Sequence, residues 1–308
     1  MVERKTVQLK RLANGRSEEI RWGRWLRNKK VTEKMLIQSE LSRTSQLVKG
    51  RHVLAIQDTT EINYQAHVKR VRGLGTVGNG KDVGLYLHPL LVIDADKKAC
   101  IGFGAMKTWL RKSASPDYAK LPIESKESYR WIETAEQGKE TLKEADVVTF
   151  VGDRESDIYE YLDRIPDERY HLLTRCSQKH RCLSNGQKLE EYLSSLKEAA
   201  QLRITVPREM RKGRVKRQAD LSIKYGEIEI QRPANRKDNQ GSKTVKLRVV
   251  EAKESHVPEG QKPIHWILLT THEVNSPEEA KQIIGWYQCR WQIEQLFRTL
   301  KSQGLNIE

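Results

Sequence analysis

Three acidic side chains, Asp58, Asp153 and Glu294, stand where carboxylates can do chemistry instead of merely solvating a surface. Asp58 follows the apolar run VLAIQ (Val53 to Gln57), and Asp153 follows DVVTFVG. Each therefore lies at the carboxyl end of a buried strand, the place where open α/β sheets put their ligands. Glu294 lies between cations at helical spacing in WYQCRWQIEQLFRTLKSQG, Trp286 to Gly304. A carboxylate set without histidine suits hard divalent ions such as magnesium or manganese. Two such ions about 3.5 to 4 Å apart activate a water or a 3′-hydroxyl on one side and stabilise the leaving oxygen on the other. That is phosphodiester chemistry without a protein nucleophile. Glu61, Glu155 and Asp157 are competing acids, and stabilisation of a helix start accounts for Asp157.

The element that must carry Glu294 reads as one helix. At about 100° per residue, Tyr287, Arg290, Glu294, Arg298 and Lys301 fall within an arc of roughly 80°, with Trp286, Ile293, Leu296, Phe297 and Leu300 on the opposite, core-facing side. Trp291 projects beside the charged stripe, where packing gives a large ring no reason to be. From Tyr287 to Lys301 such a helix rises about 21 Å, roughly six nucleic-acid steps. Taken alone, the pairs Arg290–Glu294 and Glu294–Arg298 read as ordinary i,i+4 surface bridges worth a few tenths of a kcal/mol. Asp58 and Asp153 turn that reading over for Glu294; Arg298 keeps it.

The totals favour a polyanionic partner. The 308 residues carry 56 Lys and Arg against 41 Asp and Glu, a formal +15, and each neutralised phosphate releases counterions. The four cysteines, Cys100, Cys176, Cys182 and Cys289, form no CxxC pair, so neither a disulfide framework nor a zinc ribbon is indicated and a reducing cytoplasm is expected. Cys176, His180 and Cys182 lie close together without a second ligand pair and read as incidental. The N-terminus lacks a signal-peptide core, and no apolar run approaches the roughly 18 residues of a membrane span.

The remaining elements set the frame. Residues 1–50 look helical and basic, with Thr32 capping a helix through Val48; they read equally as a DNA-binding head or as a helical arm packed on the rest of the chain. The stretch RGLGTVGNGKDVG holds two decoys. Gly73, Gly75 and Gly78 match GxGxxG but lead into a strand, and Gly75 to Lys81 matches GxxxxGK with Asp82 where a Ser or Thr is needed, so it reads as a flexible loop. Leu85 to Ile93 and Ala99 to Met106 form a hairpin, Ser125 to Leu142 and Glu155 to Leu162 are helices, and Tyr170 to Thr174 is a strand ending at Arg175. Between Cys176 and His265, LRITV, DLSIKYGEIEI and TVKLRVVEA alternate as half-buried antiparallel strands, with Gly226-Glu227 expected to turn a hairpin. The cations Arg208, Arg211, Lys212, Arg214, Lys216, Arg217, Arg232, Arg236 and Lys237 read as phosphate contacts. Trp266 to Thr271 is a strand, and Ser276, Pro277 and Glu279 open the next helix. The order gives a mixed α/β sheet with helices around it.

QDTTEINY around Asp58, VGDRESDIYEYL around Asp153, HWILLTTHEV, and above all Tyr287-x2-Arg290-x3-Glu294-x6-Lys301 resemble the DDE transposases of the insertion-sequence-four family, which includes the transposon-five enzyme. The resemblance runs from about Trp22 to Lys301. It implies an RNase H-like catalytic core, a mixed five-stranded sheet flanked by helices, over 51–175 and 266–308. It further implies a β-rich insertion over 176–265 and a partial DNA-binding arm over 1–50. Asp58, Asp153 and Glu294 would be the metal-binding catalytic triad for two divalent ions, Mg2+ with Mn2+ as substitute. The implied reaction is cut-and-paste transposition on double-stranded DNA, at transposon terminal repeats and target, by a homodimer in a synaptic complex. Tyr287, Arg290 and Lys301 would grip phosphates, Arg175 would act at the hairpin, and Trp266 and Trp291 would hold a flipped base. A cytoplasmic, nucleoid-associated bacterial protein without membrane contact is implied as well. Family members carry a longer N-terminal DNA-recognition domain and a C-terminal pairing region, whereas seven residues follow Lys301 here. A synapsis-defective DNA-binding form acting as an inhibitor, or a stand-alone RNase H-like nuclease, therefore stay as alternatives.

Overall fold

The computed structural model describes residues 8–69, 72–78, 80–111, 121–206, 215–234 and 241–301. In chain order the elements begin with α1 (Leu9–Leu12), α2 (Arg16–Leu26), α3 (Glu33–Leu47), β1 (His52–Gln57), β2 (Thr60–Asn63), β3 (Gly75–Val77), β4 (Asp82–Asp94), β5 (Cys100–Trp109) and α4 (Arg130–Thr141). They continue with β6 (Val147–Gly152), α5 (Tyr159–Arg164), β7 (Tyr170–Arg175), α6 (Leu189–Ser195), β8 (Ala200–Val206), β9 (Arg217–Gln231), β10 (Thr244–Glu254), β11 (His265–Thr270), α7 (Pro277–Gln288) and α8 (Trp291–Lys301). The chain divides into two compact units, Met1–Asp146 with Arg290–Glu308, and Val147–Cys289.

In the first unit β4 is the hub of an antiparallel sheet, pairing with β1, β2, β3 and β5. Strand β1 is buried almost throughout, which is why it reads as a continuous apolar run instead of an alternating one. Helix α3 starts where Thr32 accepts a hydrogen bond from the Met35 backbone N–H at 3.2 Å. It lies so close on β5 that a side chain at Gly102 would collide with Thr44 and Glu40. The third helix of the N-terminal segment thus belongs to the packed unit, while Ile20, Trp25 and Leu26 of α2 are exposed. Helix α4 packs on β4 and β5 and also meets α3, and its Trp131, Ile132 and Ala135 are fully buried.

The glycine-rich stretch is more ordered than its composition predicts. Strand β3 lies within it, paired to β4 through Gly75–Gly84 and Val77–Asp82. Glu61 Oε2 accepts from the Gly78 N–H at 2.7 Å, and Gly78 has φ +57°, a left-handed conformation suited to glycine. One of the competing acids is therefore committed to holding a turn.

The second unit has a mixed sheet. Strands β6 and β7 are parallel, and the order continues β7, β11, β10, β9, β8 with antiparallel neighbours. The strands between residues 176 and 265 extend this one sheet, because β10 pairs along six residues with β11. Strand β9 runs unbroken through Gly226, which pairs with Val249, so the hairpin expected at Gly226-Glu227 does not form. Glycine is needed there because a Cβ would collide with the Tyr192 hydroxyl, not because the chain turns. Helix α7 packs on β7, β9 and β10 and opens with the expected capping box, Ser276 Oγ accepting from Glu279 N and Glu279 Oε2 from Ser276 N.

The helix expected over Trp286 to Gly304 is two helices. Helix α7 ends at Gln288, Cys289 and Arg290 form a turn, and α8 starts at Trp291; residues 302–304 lie outside the described residues. At Cys289 the backbone N–H bonds to Trp286 O, and the thiol to Gly285 O at 3.5 Å, so the ladder tightens to i→i−3 and stops. The single charged stripe is therefore cut. Tyr287 belongs to α7 in the second unit, while Glu294, Arg298 and Lys301 keep one face of α8 in the first. Among the described residues no helix is long and apolar enough to cross a membrane.

Candidate functional site

Two of the three predicted acids meet within the first unit. Asp58 immediately follows β1, whose buried residues fix its position; its Oδ1 accepts from the Thr59 N–H at 2.8 Å, and its Oδ2 accepts from Arg290 Nη1 at 3.2 Å. The other terminal nitrogen of Arg290, Nη2, donates to Glu294 Oε1. Glu294 is held by α8, which is seated through the buried Ile293 and Phe297 and by Gln292 donating to the Lys98 carbonyl at 3.0 Å. One guanidinium thus joins a strand-end carboxylate and a helix carboxylate. The Arg290 and Asp58 side chains are 18% and 19% exposed, so solvent screens the interaction less than at a surface bridge. Within this unit, among the described residues, no third acidic, histidine or cysteine side chain joins them to make a metal-binding group.

The oxygen-only donor pair fits a hard divalent ion. Both carboxylates already converge on one cationic centre.

A buried polar chain that sequence reasoning missed backs the Asp58 loop. His88 lies in β4, fully buried; its Nδ1 is 2.8 Å from Thr59 Oγ1 and its Nε2 3.0 Å from Gln57 Oε1, and Arg130 Nε is 2.9 Å from Thr59 Oγ1. Arg130 can only donate, so the Thr59 hydroxyl accepts from it, and the hydroxyl's proton and second lone pair remain for His88 Nδ1. Burial, and after it the Arg130 and Lys107 charges, hold the His88 pKa well below the ordinary histidine value. The available signal was a lone histidine inside LYLHPLLVI, a run whose neighbours are apolar, so its polar atoms had to find partners.

Asp153 follows β6 in the second unit and caps a short 3-10 turn, with Oδ1 accepting from the Glu155 N–H at 2.8 Å. Its carbonyl accepts from Ser156 Oγ at 2.7 Å and Thr174 Oγ1 at 3.1 Å, which ties the β6 end to β7. Asp157 does not start a helix. It is buried, pairs with Arg181 at 2.5 Å and accepts from the Ser177 N–H at 2.8 Å, organising the loop after β7.

Of the predicted DNA-binding residues, Arg175, Trp266 and Tyr287 gather in the second unit. Arg175 Nη2 donates to His265 O at 2.8 Å, Trp266 is the next residue of β11, and Tyr287 is buried edge-on against Trp266 with centroids 5.5 Å apart. In the first unit, Trp291 is covered by the Arg298 guanidinium, 5.7 Å from its ring centroid, so Arg298 has a packing role that the sequence did not indicate. Lys301 is the last described residue, half-buried on α8.

The basic strands of the second unit are partly neutralised from within. Arg217 is largely buried in an ion pair with Glu254, which corrects its reading as a phosphate contact; Arg232 donates to Ser242 O at 2.9 Å, and Lys216 is exposed. Arg208, Arg211, Lys212, Arg214, Arg236 and Lys237 lie outside the described residues. Among the cysteines, burial pushes the Cys176 thiol up to about 12, Cys182 Sγ accepts from Lys188 at 2.8 Å, and His180 faces Glu190 at 2.5 Å. None of the three turns to a common centre.

Comparison with known protein families matches residues 131–308, more than half of the chain, to the transposase DDE domain. The matched segment contains Asp153 and the whole run from Tyr287 to Lys301, and Asp58 precedes it. The chain belongs to the transposase DDE domain family.

Proposed function

We propose that this chain cleaves and rejoins DNA strands as a cut-and-paste transposase of the insertion-sequence-four type, on an RNase H-like core, with Asp58, Asp153 and Glu294 as its acidic set. The observation that carries the reading is the meeting of Asp58 and Glu294 on one cation at the end of a buried strand. A family matched to DNA transposition and a formal charge of +15 accord with it.

Asp58, Asp153 and Glu294 would hold divalent ions, magnesium or manganese. When bound, such ions polarise the scissile phosphate and lower the pKa of the attacking water. The chain's own groups do the rest. Thr59, His88 and Arg130 keep the Asp58 loop in one conformation, and α8 presents Glu294 from a seated helix. Arg290 and Lys301 supply charge for the DNA backbone. In the proposed sequence, water hydrolyses one strand at the transposon end and frees a 3′-hydroxyl. That hydroxyl attacks the opposite strand to make a hairpin, hydrolysis opens the hairpin, and the 3′-hydroxyl attacks the target. Trp266 and Trp291 offer flat faces for a base displaced by the hairpin. Paired copies would bring two transposon ends together.

The test is cleavage of a duplex bearing the cognate terminal repeat, with magnesium or manganese, by the wild type and Glu294→Ala. Strand cleavage should fall by about three orders of magnitude, on the order of 4 kcal/mol of transition-state stabilisation. Equal rates would sink the acidic-set assignment. Nicks without hairpins would point to a nuclease, and duplex binding without cleavage to an inhibitor.

A further inference from the structure

We propose that Arg290 is the resident counter-ion of the Asp58–Glu294 pair and that a divalent metal ion binds by displacing it. Metal binding and the release of the Arg290 guanidinium are then a single event. The inference rests on reading Asp58 and Glu294 as metal ligands and concerns how that site is kept before loading.

The geometry sets up the competition. Arg290 spans the two carboxylates with both terminal nitrogens, Nη1 on Asp58 Oδ2 at 3.2 Å and Nη2 on Glu294 Oε1. These are oxygens that a small hard cation would need, because coordination uses carboxylate lone pairs that here accept N–H donors. An arginine cannot yield by losing its proton, since its pKa lies above about 12. It can only move. The chain allows that movement, because Arg290 lies in the turn ahead of α8, whereas Glu294 is fixed one turn inside the helix by the buried Ile293 and Phe297. Swinging the long side chain leaves both carboxylates in place.

The charges give the exchange a direction. Two carboxylates here share one guanidinium, and a divalent ion brings two positive charges to the same oxygens. A displaced guanidinium, no longer neutralised, is a ready partner for a phosphate oxygen, to which arginine binds in the same forked manner. By thermodynamic linkage, a DNA backbone that takes the guanidinium away from the acids must tighten metal binding by the factor by which metal tightens DNA binding. An arginine that merely orients the two carboxylates around a metal would behave in the opposite way, because its removal would loosen the ligands.

The test measures manganese binding to the full chain without DNA, by calorimetry and by electron paramagnetic resonance of free Mn2+. The proteins are wild type, Arg290→Gln, Arg290→Lys and Asp58→Asn, each first checked for folding by thermal melting. Arg290→Gln should bind Mn2+ about tenfold more tightly than wild type, within the usual range of coupling between sites, and Arg290→Lys, which keeps the charge but not the fork, should fall between. Equal or weaker binding by Arg290→Gln overturns the proposal. Asp58→Asn separates the two levels. If it loses Mn2+ binding while Arg290→Gln matches wild type, the exchange alone fails; if it binds Mn2+ as wild type does, the ligand assignment fails with it. In a second readout, Ca2+ should raise the affinity of wild type for a short duplex more than that of Arg290→Gln, and an equal gain in both proteins refutes release of the guanidinium to phosphate.

Discussion

Acidification should destabilise the first unit through His88, whose burial sets the sign of the effect. His88 is fully buried, with Thr59 Oγ1 on one ring nitrogen and Gln57 Oε1 on the other, and its pKa is lowered by burial first and by Arg130 and Lys107 after it. The unfolded chain regains a histidine pKa of about 6.5. Between that value and the lower folded value, the unfolded state binds one more proton, so stability is whole above about pH 6.5 and declines as pH falls, by up to about 1.4 kcal/mol per unit. Integrated down to pH 5.5 the loss is about 1.4 kcal/mol, provided His88 stays neutral in the fold. Urea unfolding at pH 7.5 and 5.5, followed by tryptophan fluorescence, reads this out locally, because the buried Trp131 ring meets His88 edge-on at 4.8 Å. His171 is also shifted down, by burial chiefly, with the Thr271 and Asp167 contributions opposing it, but it contributes equally to wild type and to His88→Gln. The difference between the two proteins therefore isolates His88, and the variant should lose about 1.4 kcal/mol less on acidification. An identical pH dependence in both would falsify the assignment of a neutral, hydrogen-bonded His88.

Two further perturbations test the packing that holds the second unit. Arg217→Met leaves Glu254, whose side chain is fully buried, without its ion partner. It should cost about 3–5 kcal/mol in urea unfolding, most of it recovered in Arg217→Met with Glu254→Leu; no recovery would show that the pair is not the cause. Gly226→Ala puts a methyl against the Tyr192 hydroxyl within continuous β9 and should cost about 1–3 kcal/mol, relieved by Tyr192→Phe. If Tyr192→Phe gives no relief, the glycine serves the backbone and not the close approach.

Local chemistry was legible in the sequence, and of the distant contacts the meeting of Asp58 and Glu294 was expected only through the family resemblance. Strands β1 and β6 were readable as apolar runs ending in an aspartate, the β4–β5 hairpin from its turn, and the start of α7 from Ser276, Pro277 and Glu279, because each signal lies within one element. The end of α7 was not, since neither Cys289 nor Arg290 is a helix breaker and the stop shows only in the tightened bond from the Cys289 N–H to Trp286 O. Gly226 misled because glycine marks both turns and close approaches, and only the position of Tyr192 distinguishes them. The His88 chain needed Arg130, which reaches Thr59 across 71 positions of sequence.

Arg290 shows most directly what such distance conceals. Its i,i+4 pairing with Glu294 was plain from spacing and, taken alone, describes a surface bridge worth a few tenths of a kcal/mol. The second partner, Asp58, lies 232 positions away and half-buried, and it changes what the first contact means. A guanidinium shared by two inward carboxylates is not decorating a helix. It balances charge that the fold has gathered at the end of β1. The spacing on α8 thus identifies Glu294 as an ion-pairing residue, and the fold adds Asp58 to the same cation.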